Sequence, residues 1–137
     1  MAMTLWLIIG QRLEISMITQ IKFVSIPTHD QARALKFYTE QLGFEIATDQ
    51  PFNEQQRWIE LRIANSATRV VLFTPEGHEG RIGTFFNGSF ACDDVEGTFR
   101  QLRQRGVEFV REPERQPWGT MAIFRDPDGN QFVLSSG

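Results

Sequence analysis

The sequence predicts an α+β fold: two βαβββ modules that pair into one structure. Two hairpins and a repeat predict it. Asp126-Pro127-Asp128-Gly129-Asn130 is a turn between two apolar, β-prone runs, Met121 to Phe124 and Phe132 to Leu134. Pro127 presets φ, Asp126 and Asp128 can bond their own backbone, and Gly129 can take positive φ, so the stretch reads as a β-hairpin. Arg57 to Ile63, Ala64 to Thr68 and Arg69 to Leu72 form a second hairpin that aligns on the first without a gap. Val70 falls on Phe132 and Ile59 on Met121, each pair 62 positions apart. The segments before the hairpins also match: Ser25 on Ser89, Asp30 on Asp94 and Leu35 on Phe99, at an offset of 64. Two copies of a unit too small to bury its own sheet should pair into one structure.

Each element has a local reason. Ile21 to Ile26 is apolar, and Pro27 ends it as a strand. Thr28 or Asp30 caps a helix from about Gln31 to Leu42, and Gly43 stops it. Ala34, Leu35, Phe37, Tyr38 and Leu42 give that helix a core-facing stripe. Phe44 to Ala47 follows as a strand, then a polar loop from Asp49 to Gln56, then the first hairpin. Pro75, Gly77, Gly80 and Gly83 mark a linker. The pattern restarts with a strand from Thr84 to Ala91. Asp93 or Asp94 caps a helix that ends near Arg105, with Val95, Phe99 and Leu102 facing inward. Val107 to Val110 is a strand, Glu112 to Pro117 a loop, and the last hairpin closes the chain. The modules therefore cover about 20–74 and 84–135, joined by 75–83, within one domain at 17–137. Residues 1–16 are an N-terminal extension or an expression remnant, and Met17 fits a natural start.

The bulk numbers suit a single globular domain. The chain has 137 residues, 41% hydrophobic and 23% charged, with net charge −3. No basic block occurs, which argues against nucleic acid as a partner. Leu5 to Ile9 is apolar but too short to span a bilayer, so no membrane association is expected. The single cysteine, Cys92, forbids an internal disulfide and reads as a small packed side chain. A cytoplasmic location follows as the expectation.

The residues Phe23-Val24-Ser25-Ile26-Pro27, Asp30, Ala34, Phe37-Tyr38 and Leu42-Gly43-Phe44, with the closing Phe124-Arg125-Asp126-Pro127-Asp128-Gly129-Asn130 and Val133-Leu134, resemble the vicinal-oxygen-chelate superfamily. That superfamily contains glyoxalase I, the bleomycin-resistance proteins and the extradiol dioxygenases. The resemblance covers Gln20 to Ser135. It implies sheets curled around a shared cavity, often in a homodimer. It also implies four positions where metal-dependent relatives carry His and Glu ligands, which here are Phe23, Val71, Asn87 and Val133. Three of these side chains cannot bind a cation, so no metal and no other cofactor is expected. The alternative is a divalent metal such as Zn, Ni, Mn or Fe at a non-standard site. His29 and His78 sit in loops and read as solvated.

Strand alternation assigns the faces of this cup. Val24, Ile26, Ile59, Leu61, Ile63, Val70 and Leu72 should pack under the helices. Phe23, Ser25, Trp58, Glu60, Arg62, Arg69, Val71 and Phe73 should face the cavity. The second module should add Phe85, Asn87, Ser89, Thr120, Ala122, Phe124, Gln131 and Val133. The ligand-binding set is then Phe23, Ser25, Trp58, Glu60, Arg62, Asn87, Ser89, Trp118 and Phe124, a mostly aromatic lining with a few polar groups. Glu60 reads as a general base or cation binder with a raised pKa, or as the ion-pair partner of Arg57, Arg62 or Arg69. Trp58 and Trp118 could stack on a planar ligand or serve as core or interface anchors. The expected function is metal-free binding of a small organic molecule, with a sequestering or resistance role. The alternative is a lyase, isomerase or dioxygenase of glyoxalase type, using a metal or Glu60 as base. Whether the modules pair within a chain or across a homodimer stays open.

Overall fold

The computed structural model describes residues 17–84 and 88–136. The expectations for residues 1–16 and for Phe85 and Asn87 lie outside the described residues. Strand β1 (Phe23–Ile26) leads into helix α1 (Gln31–Lys36). Asp30 caps α1 by accepting from the Arg33 amide at 3.0 Å. The helix continues as a π-turn over Phe37–Gln41, where the Leu42 amide reaches back to the Phe37 carbonyl at 3.1 Å. Strands β2 (Glu45–Pro51), β3 (Arg57–Arg62) and β4 (Arg69–Leu72) complete the first module.

A 3₁₀ turn at Glu79–Arg81 lies in the linker. The second module has β5 (Ser89–Ala91), α2 (Val95–Gln104), β6 (Glu108–Gln116), β7 (Gly119–Arg125) and β8 (Gln131–Ser135). Asp94 caps α2 through the Gly97 amide. Two four-stranded mixed sheets result, in the orders β1-β4-β3-β2 and β5-β8-β7-β6. In each, the first strand runs parallel to the last and the rest are antiparallel.

One apolar core spans both modules. It joins Ile26, Phe37, Tyr38, Ile59, Leu61 and Leu72 to Leu102, Phe124, Phe132 and Leu134. Tyr38 stands edge-on to Phe132 at 6.3 Å, and Phe44 edge-on to Phe90 at 5.7 Å. Where apolar and exposed residues alternate along β3 and β8, the alternation follows the side facing this core.

β2 runs on to Pro51, into the stretch expected as a polar loop from Asp49, and the strand expected from Thr84 is assigned only over Ser89–Ala91, with Thr84 in a turn. Two further expectations change. The prolines after Val110 do not make a loop, because β6 runs on to Gln116 through two irregularities in its pairing with β7. It is an edge strand, where Pro113 removes no needed ladder bond. The second change concerns register. β3 and β4 are joined by the six residues 63–68, and β7 and β8 by the five residues 126–130. Leu61 pairs with Val70, and its counterpart Phe124 pairs with Phe132. The offset is therefore 62 for β4 and β8, but 63 for β3 and β7. The gapless match slips β7 by one residue, and a one-residue slip turns every side chain over. Ala122 and Phe124 face the core at 0% and 1% exposure, while Met121, Ile123 and Arg125 take the opposite face.

Candidate functional site

The face of the first sheet away from α1 carries Phe23, Trp58, Glu60, Arg62, Arg69, Val71 and Phe73. Alternation along β1, β3 and β4 puts them on one side, and the pairs Phe23 with Arg69 and Glu60 with Val71 bring them abreast. Trp58 is the centre of a ring cluster. Phe23 meets it edge-on at 5.3 Å, Phe73 lies at 5.2 Å and Phe52 at 6.0 Å. Phe52 also touches Phe73, at 4.9 Å. Val71 and Phe73 are buried, Trp58 is half-buried, and Phe52 is 59% exposed. The surface is thus an aromatic shelf with an open edge.

The Glu60 carboxylate is fastened at both oxygens. The Trp58 indole N–H donates to Oε1 at 3.2 Å, and Arg69 Nη1 donates to Oε2 at 2.8 Å. Burial pushes the Glu60 carboxyl up. The hydrogen bonds from Trp58 and Arg69, with the charges of Arg69 and Lys22, outweigh burial and hold it below its ordinary value. The expected raised pKa is therefore corrected: the group is an ionised, paired carboxylate. Its partner among the arginines considered is Arg69. Arg62 pairs with Glu45 at 3.6 Å, and Arg57 with Asp49 at 2.6 Å.

Ser25 shares the face of the shelf, half-buried beside Val71. Other expected members are placed apart. Ser89 is exposed on the second sheet, its hydroxyl 2.9 Å from that of Ser135. Trp118 is 56% exposed at the β6–β7 turn. Phe124 does not face the cavity; it is buried against Phe90, Phe109 and Phe132. Ile123 replaces it on the open side, beside Val133, which was expected there. Phe52 joins the shelf from a loop whose other residues are polar, and only its being the lone aromatic there hinted at a role.

Two further hollows lie elsewhere on the protein. A polar cleft of about 630 Å³ lies between the β1–α1 turn and the linker, lined by His29, Gln31, Arg57 and Glu79 among others. An apolar groove of about 490 Å³ runs between the modules, past Val24, Ile63, Val70 and Phe90.

A family model described as Glyoxalase/Bleomycin resistance protein/Dioxygenase superfamily matches residues 20–134. The chain belongs to this superfamily. As a superfamily member it is similar to YetH, an uncharacterized protein of Bacillus subtilis (strain 168), at 37% identity over 118 residues, covering 86% of this chain and 98% of that one. The glyoxalase-type fold recurs in a crystal structure of a superfamily member from Sphaerobacter thermophilus DSM 20745. That structure has a TM-score of 0.78 and 32% identity, covering 89% of this chain and 100% of that one. It recurs in TnmS3, an antibiotic binding protein from Streptomyces sp. CB03234, with a TM-score of 0.76 and 33% identity, covering 89% of this chain and 98% of that one.

The metal positions implied by the superfamily do not fit a cation here. Phe23, Val71 and Val133 offer a phenyl ring and two isopropyl groups, which have no lone pair to donate. Asn87 lies outside the described residues. Among the described residues, no three His, Cys, Asp or Glu side chains gather as ligands would.

Proposed function

We propose that this protein binds a small planar organic molecule on the Trp58 shelf and sequesters it unchanged. The carrying observation is the cluster of Phe23, Phe52, Trp58 and Phe73, fixed at one end by Glu60 and Arg69 and left open at the other. Rings that are oriented before binding lose little entropy when a ligand stacks on them. Likeness to an antibiotic binding protein over nearly the whole chain supports the same reading. The pairing of Glu60 favours binding over base catalysis, since a carboxylate held below its ordinary pKa is a poor proton acceptor. In this reading the protein works without a metal, in the cytoplasm, as a homodimer that covers the exposed apolar side chains Ile46 and Trp118.

Calorimetric titration with a panel of planar aromatic antibiotics tests the proposal. The expected result is saturable binding at one site per chain, recovery of the compound unchanged by mass spectrometry, and a loss of at least about ten-fold in affinity in Trp58→Ala. Turnover of the bound compound, or undiminished binding by the variant, would overturn it.

A further inference from the structure

We infer that the occupant of the shelf is a planar aromatic bearing an acidic group, with Arg69 as the residue that selects it; this rests on the Trp58 reading above. The hydrogen bonds of the shelf carry the inference. Both oxygens of Glu60 are already engaged, one by Trp58 and one by Arg69. A cationic ligand would reach only the remaining lone pairs of a carboxylate that is already paired and mostly buried, so its gain there is small.

An anion has no such obstacle. Arg69 uses only Nη1 within the protein, and its guanidinium forms no other hydrogen bond among the described residues. Its side chain is 37% exposed, against 14% for Glu60, so the cation is the more accessible member of the pair. A planar fork with unused donors beside a stacking surface is suited to a carboxylate or phenolate on an aromatic ring.

The surrounding charge agrees. Lys22 is close enough for its charge to act on Glu60, and Arg62 stands on the same face as Arg69. The acidic groups facing them are Glu60 and Glu45. Arg62 and Arg69 are thus offset by Glu45 and Glu60, and the nearby Lys22 charge tips this neighbourhood positive on a chain whose net charge is −3. An acidic aromatic is therefore drawn here rather than to the remaining surface.

Matched pairs of probes decide it. The probes are 2-naphthoate and 9-anthracenecarboxylate, each against its methyl ester, titrated calorimetrically into the full chain at low ionic strength. The expected result is about ten-fold tighter binding of each acid than of its ester. That preference should vanish in Arg69→Gln, persist in Arg69→Lys, and shrink as salt rises to about 0.5 M. The salt series needs no variant, so it decides the matter even where Arg69→Gln folds poorly. Equal affinity for acid and ester, or a preference indifferent to salt, overturns the assignment of Arg69 while leaving the Trp58 reading intact. Binding of none of the four overturns both.

Discussion

Burial pushes the Asp126 carboxyl up, and the hydrogen bonds it accepts from Asn130 and Tyr38 only partly offset that. Tyr38 donates to its Oδ2 at 2.7 Å. Burial, then the nearby Asp126 charge, raise the Tyr38 phenol well above its ordinary value, so it remains a donor. Glu60 goes the other way, and the two carboxylates leave opposite marks on stability. The folded Asp126 holds its proton more tightly than the unfolded chain does. Its contribution is therefore fullest below its ordinary value of 3.8 and is lost as pH rises through the folded value. The folded Glu60 holds its proton less tightly. Its contribution is present above the ordinary value of 4.5 and is lost as pH falls below it. The excess stability of the wild type over Glu60→Gln should thus be constant at neutral pH and decline below about pH 4.5. Urea midpoints measured from pH 7 to pH 3 check this, and a difference that grows in acid would contradict the pairing.

Among the elements, the β7–β8 turn carries the most. Asp128 accepts from the Thr28 hydroxyl at 2.6 Å, the His29 amide at 3.0 Å and Arg33 Nη2 at 2.9 Å. Asn130 donates to the Pro27 carbonyl at 3.0 Å and accepts from the Gly83 amide at 2.8 Å. The turn of the second module is thereby fastened to the β1–α1 turn of the first and to the linker. Gly83 shows how close this fit is. Its φ is +90°, and an added Cβ would stand 2.7 Å from the Asp128 carbonyl oxygen. Gly83→Ala should cost at least about 1 kcal/mol. Gly80→Ala, with open space around it, should stay within about 0.5 kcal/mol. Denaturant unfolding of the two variants compares them, and equal stability would show that the linker can move off the turn.

The same turn marks the limit of what alternation could reveal. Its residue types made the hairpin legible, and β4 and β8 could be matched because both pair with the first strand of their module. β7 could not be matched in the same way. Its side chains are apolar on both faces, with Met121, Ile123 and Phe124 in one run, so no polar partner exposes a slip of one residue. β3 has Glu60 and Arg62 to mark its outer face, and there the assignment of Ile59 and Leu61 to the core agrees with the structure. The ring cluster was half visible. Phe23, Trp58 and Phe73 follow from alternation, whereas Phe52 reaches them from a loop with no period to read.

For the molecule as a whole, the shared core and the fastened turn make two similar modules one cooperative body. Among the described residues, seven hydrogen bonds, from Thr28, His29, Arg33, Tyr38, Gln41, Arg105 and Asn130, cross between the modules, and the core cluster runs through both. Neither module can open without exposing the other's apolar face. Unfolding should therefore be a single transition. Far-UV circular dichroism should share one midpoint with the fluorescence of two variants, Trp6→Phe/Trp58→Phe and Trp6→Phe/Trp118→Phe, whose single remaining tryptophans lie in different modules. Separate midpoints would show that the modules fold independently.

Phe52 and Trp58 also have a colloidal consequence. An unoccupied aromatic shelf is an adhesive surface, because exposed apolar area lowers its free energy by meeting more of the same. The chain's net charge of −3 stands near the low end of what keeps copies of a small domain apart. The occupant of the shelf would then act as a solubiliser, and the amount of protein that stays dispersed would report how much of it is loaded.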